Sequence, residues 1–494
     1  MGKKLPIFYN AMLLTSVNLL LRFVSTGFQV YLSGEIGAAG IGLLQLVLSV
    51  GGLALTAGMA GIRTATMYLT AEELGKRRPE NVRWVLSSCM KYSLVCSGTI
   101  ATAIYALAPV IASGWIGQPA TTGTVRLFAF FLPINCLCGV MVGYFTAANR
   151  IGTLSAVEIA EQACSMGLTI GLLRFWACGD PVRACSGVVM GSGLSSCFTL
   201  LCLLYLHRGE CAPVGAPIKV RNRLLKTAVP LALADDLKSG ISTAENLMVP
   251  KRLALYPKIG DPLAAFGMVC GMVFPVLMFP MAILFGLAEL LIPELARCAA
   301  AGSEKRIQYL AKRSLRLAML YGCFFCGVLF LLSEDLCLWL YGNPDAGLYL
   351  RRFALLAPML YCDAITDAMI KGLGQQTACV RYNILTSGMD IFLLFFLLPK
   401  YGIEGYFFSF LVTHLINFAL SLRRLLKLTG RLVAPVMPAL LLSATGTSIL
   451  LAGFLSSAAV KVVAFVLLQG SLLVLFRILD MDDVRWMKGL IRRK

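Results

Sequence analysis

The sequence predicts an all-α, polytopic membrane protein with about 14 transmembrane helices. Three observations predict it. Of the 494 residues, 58% are hydrophobic and 14% charged, whereas soluble domains are roughly a quarter charged; the mean hydropathy is +0.79. The apolar runs are about 20 residues long, the length a helix needs to cross the hydrocarbon, and not the alternating ~10-residue segments of a membrane β-barrel. Finally, the Lys and Arg residues gather at the ends of alternate runs.

The first run, 8–32, follows Lys3 and Lys4 but is too long for a signal-peptide core, so it reads as a retained helix. Thr15, Asn18, Arg22, Ser25 and Gln29 recur at steps of three and four, which puts them on one face. An arginine at mid-span costs a few kcal/mol unless it faces protein or water. This polar stripe is expected to line a polar pathway; the plainer alternative is a helix contact glued by polar groups. Run 40–62 carries Gln45, Ser49 and Thr56 and closes at Arg63. Runs 84–112, 125–148, 155–177 and 184–206 follow, the third of these with Glu158, Glu161, Gln162, Ser165 and Thr169 along one side.

Run 226–250 carries Asp235, Lys238, Ser242 and Glu245 on one face, and an i, i+3 spacing allows Asp235 and Lys238 to pair. In 263–288, Pro275 and Pro280 are expected kink points, as is Pro230 before them. Run 314–340 is followed by 353–373, whose Asp363, Asp367 and Lys371 share a face, and by 381–399, which holds Asp390. Runs 404–422, 433–455 and 459–479 complete the set.

With the N-terminus inside, most loop cations fall on the cytoplasmic side, which places both termini in the cytoplasm of a cell-membrane protein. The chain also repeats itself. Arg126-Leu-Phe-Ala-Phe-Phe-Leu-Pro133 returns as Arg351-Arg-Phe-Ala-Leu-Leu-Ala-Pro358, and the same offset superposes Gly42 on Gly267. The expected organisation is two parallel six-helix repeats, an N-lobe at 1–206 and a C-lobe at 224–431, joined by a cytoplasmic linker at 207–223. Residues 432–494 add two helices and a basic tail. Paired lobes of this kind suit alternating access, although a fold alone names no cargo.

The formal charge of +19 sits in loops beside apolar runs and points to membrane lipids as partners, not to nucleic acid. The 17 cysteines are scattered through apolar runs as small hydrophobes. Cys323 and Cys326 form a CxxC inside a span, with no second pair to complete a metal site. Cys178 and Cys185 flank a short outer loop, where free thiols are favoured over a disulfide. With two histidines, no nucleotide-binding GxxxxGK[ST] and no nucleophile–base set, the chain is not expected to be an enzyme or to need a cofactor. A cation in the first span, with the acids of later spans partly paired, leans the cargo toward an anion such as a diphosphate, which arginine can hold bidentately.

Several short motifs carry a resemblance. Gly37-Ala-Ala-Gly-Ile-Gly-Leu-Leu-Gln45 follows the first span; Gly61-Ile-Arg63 and Ala71-Glu-Glu73 close the second. Gly143-Tyr-Phe145 precedes Glu161-Gln162, Val249-Pro-Lys-Arg-Leu253 closes the seventh span, and Pro280 precedes Leu291-Ile-Pro-Glu294. In this order they resemble the stage V sporulation protein B family of the multidrug/oligosaccharidyl-lipid/polysaccharide exporter superfamily. The resemblance implies a lipid-linked glycan transporter, similar to the MurJ-type lipid II flippases. In those proteins a first-helix arginine lines a cationic cavity for the lipid diphosphate. Arg22 looks like that residue, and the seventh span offers Lys238. The appended helix pair fits the same group, where it helps make a groove for a lipid tail.

The function expected is therefore a flippase for an undecaprenyl-linked peptidoglycan precursor, working by alternating access in spore cortex synthesis. Arg22, Asn18, Gln29, Arg63, Lys238 and Ser242 are the expected cavity residues. Asp235, Asp363, Asp367 and Asp390 are the ion-coupling candidates. A cation-coupled multidrug exporter of the same superfamily and a non-transporting sporulation scaffold are the alternatives.

Overall fold

The computed structural model describes residues 5–76, 78–177, 179–208, 220–430, 436–476 and 478, with side chains described for all of these except 5–15, 18 and 234. The described residues form helices and their connections and fall into two compact units, one ending at Gly271 and the other beginning at Met272. Cys178 lies outside the described residues; Cys185 is a buried free thiol.

The first unit opens with α1 (Leu5–Met59), 55 residues in two helical segments that meet at a kink and correspond to the first two expected spans. Its direction changes at Gly37, where φ is 68° and ψ 177°, a backbone conformation that glycine reaches without a Cβ penalty. A second break at Ala60 (φ 45°) and Gly61 (φ 69°) starts α2 (Ile62–Gly75). Then come α3 (Val82–Val110), α4 (Thr122–Ala147), α5 (Ile151–Leu172), α6 (Pro181–Arg208), α7 (Arg221–Leu253) and the short α8 (Pro262–Gly267). A core around Ile62, Leu69, Val85, Phe145 and Leu203 joins α2, α3, α4 and α6.

Small residues let these backbones meet. A Cβ on Gly143 would press on the Arg63 carbonyl oxygen, one on Gly61 on that of Ala228, and one on Gly267 on that of Ala38. Close approach through glycine is how apolar helices gain dispersion contacts where lipid offers no hydrophobic drive. Gly42 and Gly267, matched by the repeat offset, stand at one crossing: a Cβ on Gly267 would also reach the Gly42 nitrogen.

The start of α7 is clamped to the end of α2. Arg223 Nη1 donates to Glu73 at 2.8 Å and Nη2 to Glu72 at 2.6 Å, while Asn81 Nδ2 donates to Glu73 at 3.0 Å. The Glu73 side chain is 3% exposed, so its charge depends on these donors.

The second unit holds α9 (Phe274–Met278), α10 (Met281–Ala300), α11 (Glu304–Tyr341), α12 (Pro344–Ala354) and α13 (Ala357–Gly372), followed by α14 (Gln376–Tyr401), α15 (Ile403–Thr429), α16 (Val436–Gly453) and α17 (Ala458–Leu475). The expected kink at Pro280 is present: the run 262–300 bends by 59° between Met278 and Met281. A second bend, of 57°, separates α12 from α13. Residues 126–133 lie inside the single helix α4, whereas their counterparts 351–358 cross this bend. The appended α16 and α17 dock on α11, where Phe465 fills the space a side chain on Gly327 would take. Gln469 donates to Thr445 at 2.9 Å and ties the pair together. Cys323 packs with Leu441 and Leu473 in this apolar contact.

Ten described helices are long and apolar enough to cross a membrane, or up to 12 when each bent pair is one span. This differs from the 14 expected for two physical reasons. The first two expected spans, on either side of the kink at Gly37, are joined there into one stretch that counts once, and α7 carries too many charges to pass as an apolar crossing. We predict that Arg223→Ala, which strips the buried Glu73 of its cation, destabilises the fold by about 2–3 kcal/mol, read as a lowered unfolding midpoint in detergent.

Candidate functional site

In the first unit, the described part of the expected polar stripe of α1 runs from Arg22 to Gln29. Arg22 is exposed, and its carbonyl accepts from Thr26 Oγ1 at 3.0 Å. About two turns later, Gln29 Nε2 donates to the Gly271 carbonyl at 3.4 Å. Asn18 lies on α1, but its side chain is outside the described ones. Arg63 is exposed in the first turn of α2. Leu21 borders a polar pocket of about 310 Å3 whose other walls are Glu158, Glu161 and Gln162 of α5 and Ser192 and Ser195 of α6. Ser195 donates to the Glu161 carbonyl at 2.7 Å, and Ser196 to Asn135 at 2.8 Å.

On α7, Asp235, Lys238 and Ser242 are exposed, so these charges face outward from the unit rather than being buried against it. Other residues of α7 make its hydrogen bonds to α1 at Ser49. Thr243 Oγ1 donates to the Ser49 carbonyl at 3.0 Å and Asn246 Nδ2 to the Ser49 hydroxyl at 2.9 Å. Ser49 belongs to the expected polar side of the second span; its α7 partners lie on a face of α7 other than the one that carries Asp235, Lys238 and Ser242.

In the second unit, three of the four ion-coupling candidates come together along one seam. Asp363 and Asp367 are on α13 and Asp390 on α14, and α15 runs past both. Asn417 Nδ2 donates to Asp363 at 3.0 Å, and Ser421 Oγ to Asp367 at 3.1 Å. Asp390, 6% exposed, accepts from Ser409 Oγ at 2.6 Å and Thr413 Oγ1 at 3.2 Å. The ladder Ser409, Thr413, Asn417, Ser421 repeats every four residues, so one face of α15 serves all three acids. That spacing was available in the sequence and is the signal that would have found these partners. One Asp363 oxygen, the Asn417 carbonyl oxygen and His414 Nδ1 are buried without hydrogen-bond partners. Asp235, the fourth candidate, belongs to the first unit.

The same unit contains an apolar cavity of about 590 Å3, walled by Met319 and Cys323 of α11, Pro358 and Cys362, Leu415 and Phe418 of α15, and Leu441 and Leu442 of α16. Hydroxyl-bonded acids can hold or release a proton or small cation. An apolar cavity of this size can hold hydrocarbon. We predict that Asn417→Ala, which removes a donor to Asp363, costs about 1–3 kcal/mol. The double variant Asp363→Ala/Asn417→Ala should recover most of this, as a double-mutant cycle of unfolding midpoints would read.

Comparison with known proteins agrees with this architecture. Residues 15–169 match the family model MatE. Stage V sporulation protein B of Bacillus subtilis (strain 168) is 20% identical over 412 residues, covering 80% of this chain and 78% of the relative. Among solved structures, the lipid II flippase MurJ in an inward closed conformation superposes with a TM-score of 0.67 at 12% identity, covering 94% of this chain and 99% of that one. An inward-facing multidrug resistance MATE family transporter of the MOP superfamily superposes with a TM-score of 0.65 at 16% identity, covering 85% and 98%. A MOP superfamily transporter from Pyrococcus furiosus gives 0.57 at 16% identity, covering 85% and 96%. The chain is thus a multi-pass membrane protein that resembles stage V sporulation protein B in sequence and has the fold of the MATE and MurJ transporters.

Proposed function

We propose that this protein flips a lipid-linked oligosaccharide, a peptidoglycan precursor on an undecaprenyl-type diphosphate carrier, across the cell membrane by alternating access. The observation that carries this reading is the apolar cavity bordered by α16. A drug-sized solute needs no such groove beside the appended helices, whereas a polyprenyl chain travelling with its head group does. The MurJ likeness covers 94% of this chain and the MATE likeness 85%, which fits a cargo that uses the C-terminal pair. In this reading Arg22, with Arg63 and Lys238, holds the diphosphate of the cargo, and Asn18, Gln29 and Ser242 meet its sugars. The two six-helix lobes rock about it with both termini in the cytoplasm, and the contact of repeat-matched Gly42 and Gly267 supports that duplication. Use in spore cortex synthesis follows the named relative and is part of the proposal.

A cation-coupled multidrug exporter is the second reading, favoured by the MATE likeness and by the acids along α15. Two experiments separate them. In proteoliposomes, Arg22→Ala should slow translocation of a fluorescent lipid II by about tenfold or more and leave dye export unchanged; full lipid II flipping by the variant would remove the diphosphate role. Leu442→Trp, which narrows the cavity, should slow a long polyprenyl substrate and spare a short-chain analogue. Equal effects on both would take the tail out of the cavity.

A further inference from the structure

A charged pocket in the second unit is used by none of the steps above. It lies between the C-terminal part of α11, the last turn of α12 and the connection from α16 to α17, and has a volume of about 400 Å3. Glu334 and Asp335 of α11 give it two carboxylates; Arg351 of α12 and Lys461 of α17 give it two cations. Its formal charge is therefore zero, with both signs present.

The existing pairing is loose. Arg351 Nη1 stands 3.5 Å from Glu334, outside the roughly 2.7–2.9 Å of a charge-assisted hydrogen bond. The Arg351 guanidinium lies over the Phe330 ring, 4.8 Å from its centroid, which fixes the cation at the pocket wall. Beside the charges, Leu450 is 70% and Phe454 87% exposed, and both line the same pocket. Charges beside an exposed apolar lip match an amphiphile, with its head group on the charges and its chains along the lip.

The charge set selects the head group. A simple anion would meet two carboxylates and a simple cation two positive groups, so a zwitterion is the ligand that leaves no like charges facing. A primary ammonium can donate hydrogen bonds to both carboxylates. A quaternary choline donates none and is held by open aromatic faces, whereas the Phe330 face is taken by Arg351. We propose that this pocket binds the head group of phosphatidylethanolamine. Its phosphate sits on Arg351 and Lys461, its ammonium on Glu334 and Asp335, and its chains along Leu450 and Phe454.

The test is a competition on the full-length protein in detergent. Phosphatidylethanolamine, phosphatidylglycerol and phosphatidylcholine with matched chains are supplied at equal concentration, and retained lipid is read by native mass spectrometry. Phosphatidylethanolamine should be retained about tenfold over the other two. The variant Glu334→Gln/Asp335→Asn should abolish that preference, and Lys461→Arg should keep it. Equal retention of the three lipids, a preference for phosphatidylglycerol, or an unchanged preference in the double variant would overturn the proposal. The wild-type competition decides alone should a variant fail to fold.

Discussion

An ionisable side chain among apolar helices must find its partners within the protein, and this requirement governs where the elements of each unit lie. In the second unit α15 answers it for three aspartates at once, with hydroxyl, hydroxyl, carboxamide and hydroxyl spaced by one turn each. Register is thereby set: sliding α15 by one residue would turn the whole ladder away from α13 and α14. In the first unit the most charged helix, α7, is held by polar attachments near its two ends. Arg223 grips Glu72 and Glu73 at its start, and Thr243 and Asn246 grip Ser49 near its finish. The exposed Asp235 and Lys238 lie between those anchors.

Glycine supplies the complementary device. Where α2 meets α4 and α8 meets α1, the absence of a Cβ brings backbones into contact, and those contacts do not depend on burying large side chains. The large side chains go elsewhere. Phe465 into Gly327 is one such fit, and it docks the appended pair without any charge.

Much of this was legible in the residues. Apolar run length and loop cations located the helices, and Pro280 marked a bend that is present at 59°. Other features could not be read so directly. Gly37 is recognisable as a motif, but nothing local says how sharply the chain turns there, because a positive-φ glycine can end a helix or kink one segment into the next. The α7 charges were legible as a face, yet which of two polar faces meets α1 depends on helix rotation, which only packing decides. The acids of α13 and α14 stood out because charge is rare in a span; the neutral ladder that holds them did not, although its period of four is plain once α15 is aligned with them.

The crossing at Gly42 and Gly267 has a mechanical consequence. Side chains that interlock between two helices behave as gear teeth: they resist both turning and sliding. Here main chain rests on main chain, with a carbonyl and an amide of α1 against the α carbon of α8. Sliding would carry that bare point onto neighbours with side chains and lose the fit, whereas turning about it leaves the contact in place. The crossing is a bearing, and its smoothness comes from the two atoms that glycine lacks at positions 42 and 267.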